Sequence, residues 1–436
     1  MNTREIALKL LRSYEENDTY VNLSLNNPQI SALSPEDRSF VTALLYTAVE
    51  RRITLDYIIS ALAKRPVADI SPKALSLLRL GLAQLLFMEG VPAYAAVSET
   101  VALAKGAGER GFVNGVLRAA ERAKEDLPLP PREKNLARYL SVAYSVPLPL
   151  AKYVLTLLGE SGAEALLSAF LTQPPLTLAV NTLRISRDAF LERLKAAGLE
   201  AEKTLYSPYG VRLRTSVPVK ELPGFAQGLF FVQDEASQLC ALTLAPRAGD
   251  RVVDVCAAPG GKTMLLGIGM KNEGTLRAFD LHESKLPLIR ESAARLGIDV
   301  SVEAQDATAA KEELKGCFTH VMCDAPCSGL GVLWKKPDLR YRAVEDRDGL
   351  PALQKRILSE SARYVAEGGT LVYSTCTLRT EENEAVVRDF LQTHPDFRAE
   401  PFAFGDLAAE SGMLTLYPHI HDMDGFFIAK LVRAAK

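Results

Sequence analysis

Asp254-Val255-Cys256-Ala257-Ala258-Pro259-Gly260-Gly261-Lys262-Thr263 is the stretch on which the fold turns. An apolar run at 252–256 gives way to small residues and two glycines. Such a segment lets the backbone approach a ligand closely and turn into a helix whose N–H groups face it. Outward from it, apolar runs at 276–280, 300–304, 320–324 and 371–376 read as strands, with helical periodicity between them at 283–296 and 351–366. Strands alternating with helices predict a doubly wound parallel sheet, a Rossmann-like α/β domain over residues 229–436. Ligands of such sheets bind at the carboxyl ends of the strands.

The Gly-Lys-Thr ending invites comparison with a phosphate-binding P-loop. That pattern needs a glycine five positions before Gly261, where Cys256 stands. The stretch does not carry the Gly-x-Gly-x-x-Gly of dinucleotide sites either. Two further acids point elsewhere. Asp280 closes the second strand, where a carboxylate can accept the ribose hydroxyls of an adenosine. Asp306 lies just past the third, placed to meet the adenine amino group. Three successive strand ends bearing these groups fit S-adenosyl-L-methionine.

Asp324-Ala325-Pro326-Cys327-Ser328-Gly329 follows the fourth strand and Ser374-Thr375-Cys376-Thr377 ends the fifth, so the two thiols should be neighbours above the cofactor. Paired thiols there suggest covalent chemistry on cytosine, whose C5 is too weak a nucleophile to take a methyl group unaided. A thiolate adding to C6 makes C5 enamine-like. A base must then remove the C5 proton so that the thiol can leave. A free thiol, with a pKa of ~8.5, is only slightly ionised near neutrality, so the site is expected to acidify it. Cys240, Cys317 and Cys323 read as inert core residues, and Cys256 as serving through its backbone. No C-x-x-C or clustered His/Cys spacing supports a metal site.

Residues 232–431 resemble the Fmu/Sun (RsmB) group of RNA cytosine-5 methyltransferases. The resemblance rests on VQDEASQL, DVCAAPGGKT, DAPCSGLGVLWKKPDLRY, LVYSTCTLRTEENE and DGFFIAKL. It implies that Cys376 is the nucleophile, that Cys327 assists product release and that Asp324 contacts the base. It also implies cofactor contacts at Cys256, Ala257, Ala258, Pro259, Gly260, Gly261, Lys262, Asp280, Asp306 and Asp324. DRSFVTALLYTAVERRITLDYII, LRLGLAQLLFMEGVPAYAAVSETVALAK and GFVNGVLR resemble a NusB-type RNA-binding helical domain. That pairing of domains is the arrangement of the bacterial 16S rRNA (cytosine-5) methyltransferases. The implied partner is 16S rRNA or a small-subunit assembly intermediate, not DNA or a membrane, met by a monomer. A cytosine-5 methyltransferase of tRNA or another RNA, or a silent RNA-binding assembly factor, remain the alternatives.

The rest of the chain reads as multidomain, since 436 residues exceed what one core usually serves. Residues 1–127 are helical throughout, with leucines 75, 78, 82, 85 and 86 marking one apolar face and Ser34-Pro35-Glu36-Asp37 a helix start. Pro128, Pro130 and Pro131 mark a linker. Residues 136–228 combine helices up to 172 with a small α+β insert, its strands at 176–181 and 210–214 flanking a helix at 187–197. By the resemblance, this insert is the family's RNA-binding extension. A formal net charge of −2 excludes a globally basic surface, so RNA must meet local patches. Lys335, Lys336, Arg340 and Arg342, interleaved with Trp334 and Tyr341, suit phosphates and an exposed base; Arg51 and Arg52 are secondary candidates. Met1-Asn2-Thr3-Arg4-Glu5 carries no secretory signature and no apolar run could span a bilayer. Six cysteines are too few for a disulfide framework, which predicts reduced thiols in the cytoplasm.

Overall fold

The computed structural model describes residues 2–17, 21, 25, 28–215, 217–341 and 349–435. The chain divides into two compact units, Met1–Thr172 with Leu333–Val344, and Gln173–Val332 with Glu345–Lys436.

The first unit is helical. Ser34 caps the helix Pro35–Glu50 by accepting the Asp37 N–H at 3.1 Å, with Pro35 at its first position. The helix Pro72–Phe87 runs through the middle, and it buries Leu77 and Leu80 as well as Leu78, Leu82 and Leu85. Its apolar surface is therefore wider than the single face drawn from the leucine spacing, because helices close around it. At Gly81 an added Cβ would lie 2.7 Å from a methyl of Leu117 on the helix Ala107–Arg122, so a side chain there would displace Leu117. The helices Leu136–Ala143 and Leu148–Ala169 fall within this compact unit. The reason is local: Thr54 donates to the Val142 carbonyl at 2.5 Å and the Ile53 N–H to Ser145 Oγ at 3.1 Å.

The second unit opens with four strands, β1 (Leu176–Val180), β2 (Glu200–Lys203), β3 (Gly210–Arg214) and β4 (Phe230–Val232), in the antiparallel order β2-β3-β1-β4. Phe190 and Leu194 of the helix Arg187–Ala196 pack on them, Phe190 with its ring 5.2 Å from that of Phe230. The larger sheet contains β5 (Arg251–Asp254), β6 (Thr275–Asp280), β7 (Ser301–Ala304), β8 (Phe318–Asp324) and β9 (Val365–Thr375), all parallel, in the order β7-β6-β5-β8-β9. After β10 (Phe397–Ala399), β11 (Phe402–Phe404), β12 (Leu407–Ala409) and β13 (Met413–Leu416), the strand β14 (Phe426–Arg433) pairs antiparallel with β9. Alternate residues feed cores on the two faces: Val252, Ala278, Met322 and Val372 on one, Val253, Phe279, Val321 and Leu371 on the other. Strand order reverses between β5 and β8. A crevice thus opens at their carboxyl ends, where the motif residues lie.

Candidate active site

The segment after β5 is held from both sides. The Val255 N–H donates to Met322 O at 3.0 Å and the Ala257 N–H to Phe279 O at 2.8 Å, tying the loop to β8 and β6. The Ala258–Pro259 peptide is cis. Gly260 has φ +109°, a conformation that disfavours any side chain, and it starts the helix Gly261–Gly269. Asp280 spans two loops. Its Oδ2 accepts the Ala258 N–H at 3.1 Å and its Oδ1 the His282 N–H at 3.0 Å. Asp306 lies just past β7, exposed, with Oδ1 accepting the N–H and hydroxyl of Thr308, and these bonds lower its pKa.

Asp254 ends β5 and is 1% exposed. Thr263 Oγ1 donates to its Oδ2 at 2.7 Å, while Oδ1 is buried with no hydrogen-bond partner among the described residues. Burial pushes this carboxyl up to about 7. A buried acceptor left unmatched, beside a loop of small residues and a strand-end carboxylate, fits a ligand that brings a positive charge and a ribose. S-adenosylmethionine has both.

The two cysteine loops meet, as strand order predicted. Asp324 and Ser374 are register partners on β8 and β9, and Cys327 Sγ stands 3.3 Å from Cys376 Sγ. Asp324 is held at both oxygens, Oδ2 by Lys262 Nζ at 2.7 Å and Oδ1 by Ser374 Oγ at 2.7 Å. Burial works against the Lys262 ammonium, but Asp324 facing it prevails and raises its pKa; the Phe426 ring lies 4.9 Å from Nζ. Gly331 N–H donates to the Cys376 carbonyl at 2.9 Å, and a Cβ at Gly331 would come within 1.8 Å of Gly425 O, so this approach admits only glycine. The Cys327 thiol is pushed well above its ordinary range, first by its hydrogen bond with Cys376, then by burial, with Glu382 and Asp324 adding to it. The expected acidification therefore does not apply to Cys327. Cys240 and Cys323 are buried as expected, while Cys317 is half-buried beside the carbonyls of Glu313 and Lys315.

The basic stretch after Pro-Cys is corrected by the structure. Arg340 is fully buried in the helical unit, its Nη1 3.1 Å from the Glu50 carbonyl and its Nη2 3.4 Å from Glu50 Oε1. Burial raises the Glu50 carboxyl, opposed by Arg340 and Arg51. Trp334 is buried too, and Tyr341 donates to Val49 O at 2.6 Å with the Arg52 guanidinium 3.8 Å over its ring. Arg51 similarly covers Phe87. These side chains hold the segment to its helices and do not present a stacking surface. Lys336 is exposed and Lys335 half-buried by the Trp334 ring, so the two lysines remain candidates for phosphate. Arg342 lies outside the described residues. Arg340→Ala should accordingly lower thermal stability, by about 3 kcal/mol for a broken buried pair. An unchanged melting temperature with weakened RNA binding would restore Arg340 to the surface.

Three family descriptions match this chain. The 16S rRNA methyltransferase RsmB/F model covers residues 241–432, the NusB family model residues 1–122, and a ferredoxin-like domain of RsmF/B-like methyltransferases residues 148–220. A "probable ribosomal RNA small subunit methyltransferase B" of Bacillus subtilis (strain 168) is 37% identical over 99% of this chain and 98% of its own length. The "ribosomal RNA small subunit methyltransferase B" of Klebsiella pneumoniae (strain ATCC 700721 / MGH 78578) is 34% identical over 99% and 98%. Among solved structures, that of PH0851 superposes with a TM-score of 0.80 at 26% identity, covering 99% of both chains. A methyltransferase homolog protein from Pyrococcus horikoshii gives 0.59 at 29%, covering 69% of this chain and 99% of its own.

Proposed function

The chain belongs to the 16S rRNA methyltransferase RsmB/F family, and from that premise we propose that it methylates C5 of a cytosine in 16S rRNA through a thioether between Cys376 and C6. The observation that carries this reading is the pair of thiols 3.3 Å apart, beside a carboxylate fixed by Lys262 and Ser374. A single nucleophile would suffice to bind a base. Two thiols in contact suit a cycle in which one forms a bond to carbon and the other manages the proton.

S-adenosylmethionine, when bound by the loop Cys256–Lys262 with Asp254, Asp280 and Asp306, supplies the electrophilic methyl group. Asp324 orients the cytosine with a carboxylate that Lys262 and Ser374 prevent from turning. Contact with Cys376, burial and the nearby acids favour the thiol form of Cys327, and Cys376, its own proton given up to water, attacks C6. After methylation Cys327 loses its proton to water, its thiolate takes the C5 proton, and Cys376 departs as the C5–C6 double bond re-forms. The target base must be unstacked for a thiol to reach C6, so a loop or flipped nucleotide is the substrate. Lys335 and Lys336 are the phosphate contacts of this reading, and the helical unit its second RNA-binding surface.

Bisulfite sequencing of 16S rRNA from cells with and without the protein tests the assignment: one cytosine should lose its protection. Protection lost only in tRNA would move the substrate there. Asp280→Ala should weaken cofactor binding about ten- to a hundred-fold, the worth of a charge-assisted contact of ~1.5–3 kcal/mol. Calorimetric titration checks it, and unchanged affinity would remove Asp280 from the site.

A further inference from the structure

Glu382 and Asn383 follow the turn after Cys376, and neither has a part in the cycle above. Both are 1% exposed. Asn383 straddles Cys376: its Oδ1 accepts Thr375 Oγ1 at 2.5 Å and its Nδ2 donates to the Thr377 carbonyl at 3.0 Å. Glu382 straddles Cys327 in the same manner, with Gln354 of the helix Leu350–Ala362 as its helper. Glu382 Oε2 accepts the Ser328 N–H at 2.9 Å and Gln354 Nε2 at 2.9 Å, and that same Nε2 donates to the Pro326 carbonyl at 2.9 Å. Ser328 Oγ and Thr377 Oγ1, each one residue past a cysteine, close the frame at 2.8 Å. Tyr373 Oη donates to the Glu382 carbonyl at 2.7 Å and so fixes the dyad itself. Two adjacent side chains thus each bracket one of the two thiols.

We propose that Glu382 and Asn383 are positioning residues that set the separation of the two thiols, and that the Glu382 carboxylate helps to hold the proton on Cys327. This rests on the covalent cycle proposed above. An amide at 382 would hold the same hydrogen bonds, so the charge calls for a reason. Glu382 Oε1 is buried without a hydrogen-bond partner among the described residues, its nearest cation being Arg379 Nε at 3.7 Å. The titratable groups that bear on Cys327 include Cys376, Glu382 and Asp324, with the Tyr373 phenol also facing it. Asp324 is compensated by Lys262 at 2.7 Å, and Glu382 more loosely by Arg379, so Glu382 is the negative charge least cancelled there. It opposes ionisation of Cys327 while Cys376 is free. Once Cys376 is alkylated, its sulfur carries no negative charge and no longer favours the protonated form of Cys327, whose proton then leaves to water. The Cys327 thiolate takes the C5 proton, the C5–H electron pair re-forms the C5–C6 double bond, and the C6–S bond breaks with its pair on Cys376.

The test compares the full-length wild type with Glu382→Gln, which keeps the bracket and drops the charge, and with Glu382→Ala, which drops both. Iodoacetamide labelling of each thiol against pH, resolved by peptide mass spectrometry without RNA, reads Cys327 directly. Its labelling curve should move to lower pH in Glu382→Gln; an unmoved curve overturns the electrostatic role. Decay of the protein–RNA adduct on a denaturing gel reads the positioning role. Glu382→Ala should release methylated RNA on the order of 10²-fold more slowly, the cost of a misplaced reacting group, whereas Glu382→Gln should release faster than Glu382→Ala. Release from Glu382→Ala at the wild-type rate overturns the bracket, and circular dichroism shows whether that variant folds; if it does not, Gln354→Ala, which removes the link from Glu382 to the Pro326 carbonyl, carries the positioning readout, and its release at the wild-type rate overturns the bracket. Cys327→Ala is run alongside. If it traps no adduct, the covalent cycle fails whatever the labelling curves show.

Discussion

Cys376→Ala should abolish methylation and form no protein–RNA adduct, while Cys327→Ala should methylate once and stay attached. With the sulfurs 3.3 Å apart, either could approach the same carbon, so proximity does not separate their roles. The proposed cycle gives attack to Cys376, as the family resemblance implies, and proton removal to Cys327, whose thiol form is favoured by its contact with Cys376, by burial and by the acids near it. Removing Cys376 removes the addition to C6, and C5 is never activated. Removing Cys327 spares addition and methyl transfer but takes away the acceptor of the C5 proton. Loss of a positioned proton-transfer group slows its step by roughly 10²–10⁴-fold, long enough to trap the thioether. With labelled RNA, a denaturing gel should show a retarded band for Cys327→Ala and none for Cys376→Ala. The opposite pattern would exchange the two assignments.

Asp324→Asn is the second change with a large expected effect. Both oxygens of Asp324 are engaged, and the amide that replaces it can satisfy Ser374 but not an ammonium 2.7 Å away. The base loses its fixed carboxylate, and Lys262, with 11% of its side chain exposed, loses its counter-charge. Single-turnover methylation should fall on the order of 10²–10³-fold, the range for deleting one preorganised polar group from a site. The variant should also be less stable at neutral pH. Lys262 has a raised pKa in the folded chain, so the stability it lends is complete below its ordinary value of 10.5 and is lost only as pH rises through the higher folded value. The stability gap between wild type and variant should therefore persist across neutral pH and close only in strong alkali. Methylation within threefold of wild type would take Asp324 out of the site.

What the sequence made legible was whatever depends on period and strand order. Alternating apolar runs announced the parallel sheet, and its topology then brought Asp324, Cys327, Ser374 and Cys376 together without any further information. The antiparallel β14 carries an equally apolar run in Phe426–Arg433, but it lies between β9 and β10 outside the alternation of strands with helices, and the pattern did not mark it as a strand. Arg340 misled for a physical reason. A stretch of lysines, arginines and aromatics looks the same whether it faces solvent or folds back on Glu50, 290 residues earlier. Glu382 was hidden in the same way: an acidic Glu-Glu-Asn-Glu run reads as a solvated turn until Ser328, 54 residues away, is found on its carboxylate.

The return of residues 333–344 to the helical unit has a consequence for how the protein is made. Ribosomes extend a chain from its N-terminus, so Met1–Thr172 emerges first, yet the arginine that lies on Glu50 is not added until about 170 further residues have been synthesised. At ordinary elongation rates that interval is roughly 8–34 s. During it the nascent helical unit must persist with Arg51 as the cation beside Glu50 and with the seats of Trp334 and Tyr341 vacant. Its final consolidation therefore follows synthesis of the cofactor loop and β8 and precedes that of β9 and β14.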